Sequence, residues 1–222
     1  MRWPKTLAGA KRAQERLAAE VKITPLEKIP EFIAAADAAF SGDRVFAVAS
    51  LLSYPGLVLL EEAAVSAEED FPYVPGYLTF REGPSIIRAI RQLKRKPDIL
   101  LVDGQGIAHP RRMGIAAHVG VLLDIPTIGC AKSRLVGEHE EPGVKKGCWS
   151  PLLYKKETVG AVLRTRDSTR PVFVSPGHRI NLEDSLKIVL ACTRSFRIPE
   201  PLRRADFLSK KRKRDEKYSV SK

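Results

Sequence analysis

The stretch Ile99-Leu100-Leu101-Val102, closed on either side by Asp98 and Asp103, constrains the fold of this chain more than any other. A strand with one face in water alternates apolar with polar residues. An unbroken aliphatic run between acids therefore reads as a strand buried on both faces. Such a strand needs cover above and below it. Upstream, Ile86, Ile87, Ile90 and Leu93 recur at helical spacing before Pro97, which predicts a helix opening at Gly83-Pro84-Ser85. Downstream, residues 113–123 suit a second helix and 126–130 another buried strand.

The remaining segments fit around that centre. Residues 7–22 are rich in Ala, Arg, Gln, Glu and Leu and read as an exposed helix, which Thr24-Pro25 ends. Three apolar segments, 32–36, 45–52 and 57–65, are separated by Gly42-Asp43 and Tyr54-Pro55-Gly56, turn signals that predict an antiparallel meander. Residues 158–164 and 171–175 read as a further hairpin. A late helix over 182–194 carries Leu182, Leu186, Val189 and Leu190 on one face. The fold class is α/β, a mixed β-sheet with helices on its faces and no repeats or internal linkers. A length of 222 residues suits one domain, at most two.

Charge is unevenly spread. Of a net +12, residues 203–222 hold nine Lys or Arg against three acids and residues 1–22 hold six against two, so the body is nearly neutral. Basic ends suit a polyanion partner or simply solvated termini. Lys210-Lys211-Arg212-Lys213-Arg214 also has the look of a nuclear-import signal. No apolar run approaches the roughly 18 residues of a membrane span, and the N-terminal stretch lacks the apolar core of a signal peptide. Cys130, Cys148 and Cys192 are odd in number and fit free or buried thiols in a reducing compartment. His109, His118, His139 and His178 show no zinc spacing, and Gly-x-Ser-x-Gly and the phosphate-binding loop of P-loop NTPases are absent.

Chemistry collects at the ends of central strands in such sheets, and Asp103 stands there, followed by Gly104-Gln105-Gly106. An Asp-Gly turn accounts for it equally well. Asp37 interrupts an apolar stretch; it is either a strand-end carboxylate facing water or a buried one that a metal ion satisfies. Two such aspartates brought together make a hard oxygen site suited to Mg²⁺ or Mn²⁺. Glu82 and Asp206 are further candidate ligands, although exposed helix-end acids are ordinary. Pro72-Tyr73-Val74-Pro75 is a stiff loop that can present an aromatic ring, either to a nucleic-acid duplex or to the protein's own core.

The segment from Phe71 to Pro84, the block Asp103-Gly104-Gln105-Gly106-Ile107-Ala108-His109-Pro110-Arg111 and the block Ile125-Pro126-Thr127-Ile128-Gly129-Cys130-Ala131-Lys132-Ser133-Arg134-Leu135 together strongly resemble endonuclease V. So do Phe173-Val174-Ser175-Pro176-Gly177-His178 and Arg197-Ile198-Pro199-Glu200-Pro201. The blocks follow the family's order over about residues 22–208. The resemblance implies a ribonuclease H-like mixed β-sheet flanked by helices, and a metal-dependent endonuclease of DNA repair. It would cut the second phosphodiester bond 3′ to inosine and leave 3′-hydroxyl and 5′-phosphate ends. Asp37, Glu82 and Asp103 would hold Mg²⁺, with Mn²⁺ able to substitute. Asp206, where family members carry His or Asp, would add a ligand. His109 and Lys132 would sit near the scissile phosphate. Tyr73, in the wedge Pro72-Tyr73-Val74-Pro75, would fill the gap beside the lesion. Gly76, Leu78, Gly104, Gly114, Ile115 and Leu135 would line a pocket for the extruded base. His118 and His178 are read as structural.

The implied partner is inosine-containing nucleic acid, with DNA as the substrate and RNA, or binding without cleavage, as the alternatives. No membrane or obligate protein partner is expected. The chain would be a monomer in the cytoplasm (or a nucleus), with one catalytic domain over 1–208 and a disordered basic tail over 209–222.

Overall fold

The computed structural model describes residues 3–69 and 71–219. Helix α1 (Leu7–Ala18) precedes the meander β1 (Phe32–Ser41), β2 (Arg44–Ser53) and β3 (Leu59–Glu68). Helix α2 (Leu78–Gln92), strand β4 (Ile99–Val102), helix α3 (Ile115–Leu123) and strand β5 (Thr127–Ala131) follow. Then come β6 (Trp149–Tyr154), β7 (Glu157–Leu163), β8 (Val172–His178), α4 (Leu182–Ala191) and α5 (Glu200–Ser219). All eight strands form one mixed sheet in the order β3-β2-β1-β4-β5-β8-β7-β6. β4 runs parallel to both β1 and β5, and the other pairs are antiparallel.

The unbroken aliphatic run has its explanation here. Ile99 and Leu101 pack with Ile180, Leu186, Val189, Leu202 and Ala205 on one face of the sheet. Leu100 and Val102 pack with Ile86, Ile90, Ile115 and Val119 on the other. All four residues of β4 are fully buried, so no position of the strand is available to a polar side chain.

Four expectations are corrected. Strand β1 runs to Ser41 rather than stopping at residue 36, so Asp37 lies inside it, opposite Val48 of β2. Helix α2 begins at Leu78, well before Gly83-Pro84-Ser85, and contains Pro84. Its first turns are held by an aromatic cluster of Phe80 with Phe71, Trp3 and Tyr77, which offsets the backbone bond that the proline removes. Strand β6 was not foreseen; Pro151 marks it as an edge strand, and Ser150 and Leu152 alternate inward. Finally, residues 209–219, expected as a disordered tail, continue helix α5, because Leu202, Ala205 and Ser209 bury one of its faces. The last three residues of that expected tail lie outside the described ones.

Candidate functional site

The parallel register sets the site. Ala36 of β1 stands level with Val102 of β4, so the next residues along, Asp37 and Asp103, emerge side by side. Lys132 follows directly on β5, and Asp206 descends from α5. Oxygens of Asp37, Asp103 and Asp206 lie within 4.8 Å of one another, the one group of three potential metal-ligating side chains of this kind among the described residues. Lys132 Nζ donates to Asp103 Oδ2 at 2.6 Å and lies 3.9 Å from Asp206 Oδ1. Lys210 Nζ pairs with Asp206 Oδ2 at 2.7 Å, and Ser209 Oγ donates to Asp37 Oδ2 at 2.6 Å.

Burial and neighbouring negative charge oppose ionisation of Asp37 and Glu82. Burial first, and then the charges of Asp103 and Asp206, push the Asp37 carboxyl up to about 6, although the Ser209 hydroxyl works against the rise. Glu82, on α2 near Asp37 and Asp103 but outside the group of three, is pushed to about 8 by burial and by the charges of Asp37 and Asp103. For Lys132, burial opposes its charge, but its hydrogen bond to Asp103 and the charges of Asp103, Asp206 and Asp37 prevail and raise its pKa. An all-oxygen donor set of three clustered carboxylates fits a hard divalent cation.

A cleft of about 310 Å³ opens beside the carboxylates, and Asp103 and Lys132 belong to its wall. Tyr73, Val74, Pro75, Gly76, Leu78, Gly104, Gly114, Ile115 and Leu135 all line it; Pro72 does not. Tyr73 is 68% exposed at the rim. Glycine is required at two of these positions. Gly104 has φ 148°, and a Cβ there would meet Ile115 Cγ2 at 2.6 Å. A Cβ on Gly114 would meet the Gln105 carbonyl oxygen at 2.3 Å.

His109, expected beside the reacting phosphate, meets a different geometry. Its buried ring also lines the cleft, with Nε2 donating to the Gly76 carbonyl at 2.8 Å and Nδ1 accepting from the Arg111 N–H at 3.1 Å. Burial holds its pKa down at about 4, so the ring is neutral near pH 7. Two residues missed from the sequence complete this contact. Gln14 of α1 and Arg111 both donate to the same carbonyl at 3.0 Å, and Arg111 Nε donates to Gln14 Oε1 at 2.6 Å. Gln14 stands in no motif, its signal being a buried amide on an otherwise amphipathic helix, whereas Arg111 closes the block that begins at Asp103 and was given no role there. Gln105, also missed as a site residue, lines the cleft and donates from Nε2 to the Ser133 carbonyl at 3.0 Å. The other histidines read as structural have supporting packing: His118 stacks on Trp3, and His178 Nδ1 accepts from the Lys22 N–H at 3.3 Å. The three cysteines are free, with Cys130 and Cys192 buried. No helix among the described residues is long and apolar enough to cross a membrane.

Comparison with known proteins bears on this geometry. The family model for endonuclease V matches residues 15–207. An endonuclease V of Geotalea uraniireducens is 52% identical over 200 residues, covering 90% of this chain and 86% of that protein. One from Methanothrix thermoacetophila is 51% identical over 201 residues, 90% and 89% of the two chains. The crystal structure of endonuclease V from Streptomyces avermitilis superposes with a TM-score of 0.92 at 39% identity, over 97% of this chain and 96% of that one. Endonuclease V from Ciona intestinalis, in complex with a 24mer DNA containing an inosine followed by a ribo-adenosine, gives 0.83 at 30% identity over 94% and 98%. The mixed sheet and its flanking helices are the ribonuclease H-like fold of these structures.

Proposed function

Because the chain belongs to the endonuclease V family of phosphodiester-cleaving nucleases, we propose that it recognises inosine in DNA and hydrolyses the second phosphodiester bond on its 3′ side, leaving 3′-hydroxyl and 5′-phosphate ends. The observation that carries this reading is the sharing of Asp103 and Lys132 between a glycine-rich cleft and a cluster of three aspartates. A base seated in the cleft puts its own strand against the carboxylates. Hypoxanthine differs from adenine in its 6-oxo acceptor and N1–H donor, and the absence of side chains at Gly76, Gly104 and Gly114 lets backbone groups approach that edge.

Asp37, Asp103 and Asp206 would hold Mg²⁺, or Mn²⁺ in its place, with Glu82 behind them. Such an ion, when bound, supplies an activated water and offsets charge on the phosphodiester. Lys132 contributes a fixed positive charge at the edge of the cluster where negative charge develops in the transition state. His109, Gln14 and Arg111 act from the wall by fixing the Gly76 carbonyl, which orients the loop bearing Tyr73. Tyr73, backed by Pro72, Val74 and Pro75, fills the gap left in the stack. The catalytic unit takes in the whole of α5, since Ser209 and Lys210 bond the carboxylates, and it works as a monomer without an obligate protein partner in the cytoplasm, where free thiols persist.

The test is cleavage of a 5′-labelled duplex bearing one deoxyinosine with Mg²⁺ present. A nick two linkages downstream is expected, absent from the adenine control. Asp103→Asn should slow it by about a hundredfold or more, since several kcal/mol of transition-state stabilisation pass through the cluster. Nicking by Asp103→Asn at the parental rate would sink the assignment. A matched RNA strand tests the second reading, inosine-directed cleavage of RNA, which the ribo-adenosine in the Ciona complex favours.

A further inference from the structure

A second and larger cavity, about 690 Å³, opens on the other side of the carboxylates. It shares only Asp103 and Lys132 with the glycine-rich cleft. Its floor is apolar, from Ile198 and Leu202, and one wall is the exposed face of α5. Phe207, Lys210, Lys213 and Arg214 fall on that face at helical spacing, and the Phe207 ring is 54% exposed. The opposite face of the helix is pinned. Ser209 bonds Asp37, Arg204 Nε reaches Glu62 at 2.7 Å, and Glu216 receives Arg44 at 2.7 Å. The wall is therefore a fixed surface carrying one bare aromatic ring among cations. This is the chemistry that holds a single nucleic-acid strand, with the ring stacking a base and the cations meeting phosphates.

We propose that this groove binds the strand on the 3′ side of the scissile bond, with Phe207 stacking a downstream base and Lys213 and Arg214 meeting its backbone. The proposal rests on the inosine reading above. With the modified base in one cavity and the cut bond at the carboxylates, the continuing strand leaves on the far side of Asp103 and Lys132, into the groove. From Asp206 to Arg214 the helix advances about 12 Å, the length of about three stacked nucleotides. After hydrolysis the same groove holds the strand that carries the 5′-phosphate.

The experiment is a fluorescence-anisotropy titration of the full chain, with Ca²⁺ replacing Mg²⁺, against single strands labelled at the 5′ end. The strands carry one deoxyinosine with either six or two nucleotides 3′ to it. The parent should lose affinity about tenfold on shortening. Phe207→Ala should lose about tenfold on the long strand and little on the short one, as expected for one stacked base. Phe207→Trp should keep the parental values. The double variant Lys213→Gln, Arg214→Gln should lower the log–log salt slope by about 0.7 per lost contact. Equal loss for Phe207→Ala on both strands, or coupling to trimming on the 5′ side instead, overturns the proposal. Titration of adenine-containing strands keeps the two readings apart. If the parent binds them as tightly, inosine recognition fails, while the coupling of Phe207 to 3′ length still decides for or against the groove.

Discussion

Asp37 takes its character from the strand it interrupts. Flanked by Ala36 and Ala38 and set opposite Val48, it has no water on most sides, and its neighbours Asp103 and Asp206 make ionisation harder still. Glu82 shares the problem, and its raised pKa has a consequence for the metal-free protein. A carboxyl whose pKa is higher folded than unfolded binds more protons in the folded state. Its stabilisation is complete below the unfolded value and is lost as pH rises through the folded one. For Glu82 that window runs from about 4.5 to about 8. In EDTA, the melting temperature of the parent relative to Glu82→Gln should therefore fall by several degrees between pH 5 and pH 8.5, at about 2–4 °C per kcal/mol for a chain of this size. Saturating Mg²⁺ should narrow the gap by favouring the ionised acids. A difference between the two proteins that stays flat with pH would remove Glu82 from the cluster's electrostatics. At this scale Asp37 and Asp103 were legible because one breaks an apolar run and the other ends one. Gln14, Arg111 and Ser209 were not, since each acts through a partner 35 to 172 residues away.

Strand β4 and helix α5 are the elements that sequence patterning reads best and worst. The four aliphatic residues of β4 can belong only to a central strand, and the structure buries them between two cores. Leu101→Ala should cost about 2–5 kcal/mol through lost transfer energy and the cavity it leaves. Thermal melting should then fall by about 5–15 °C, with Phe207→Ala close to the parent because its ring is exposed. A loss of less than a degree for Leu101→Ala would mean that the core collapses around the gap. Helix α5 escaped notice because its apolar stripe is thin. Its buried positions fall early, at Pro201, Leu202, Ala205 and Ser209, and dense charge hides a stripe of that kind. Pro84 and Pro151 concealed the start of α2 and the whole of β6 for a simpler reason: proline is a breaker in general and tolerated at these places in particular.

Across the whole molecule, the basic C-terminal charge and the catalytic centre are joined by one helix rather than separated into domain and tail. Counting charge suggested that the end of the chain meets a polyanion or is simply solvated. The structure places Asp206, Ser209 and Lys210 on the same rigid element as Lys213 and Arg214, so the end of the chain also shapes the carboxylate cluster. The two contributions separate by experiment. Truncation after Asp206 removes Ser209 and Lys210 together with the basic run, and should both flatten the salt dependence of DNA binding and weaken metal binding. Ser209→Ala leaves the basic run in place and takes away the hydroxyl's bonds to Asp37 Oδ2 and to the Asp206 carbonyl, the first of which opposes the rise of the Asp37 pKa. It should weaken Mn²⁺ binding, read by titration of the metal's paramagnetic signal, by about tenfold or more, as loss of a partner to a ligating carboxylate does. Its salt slope should match the parent's, and Ser209→Thr should restore the metal affinity. Should Ser209→Ala bind Mn²⁺ as the parent does while the truncated chain does not, Lys210 or the helix backbone, and not the serine, would be what carries the coupling from the end of the chain to the site.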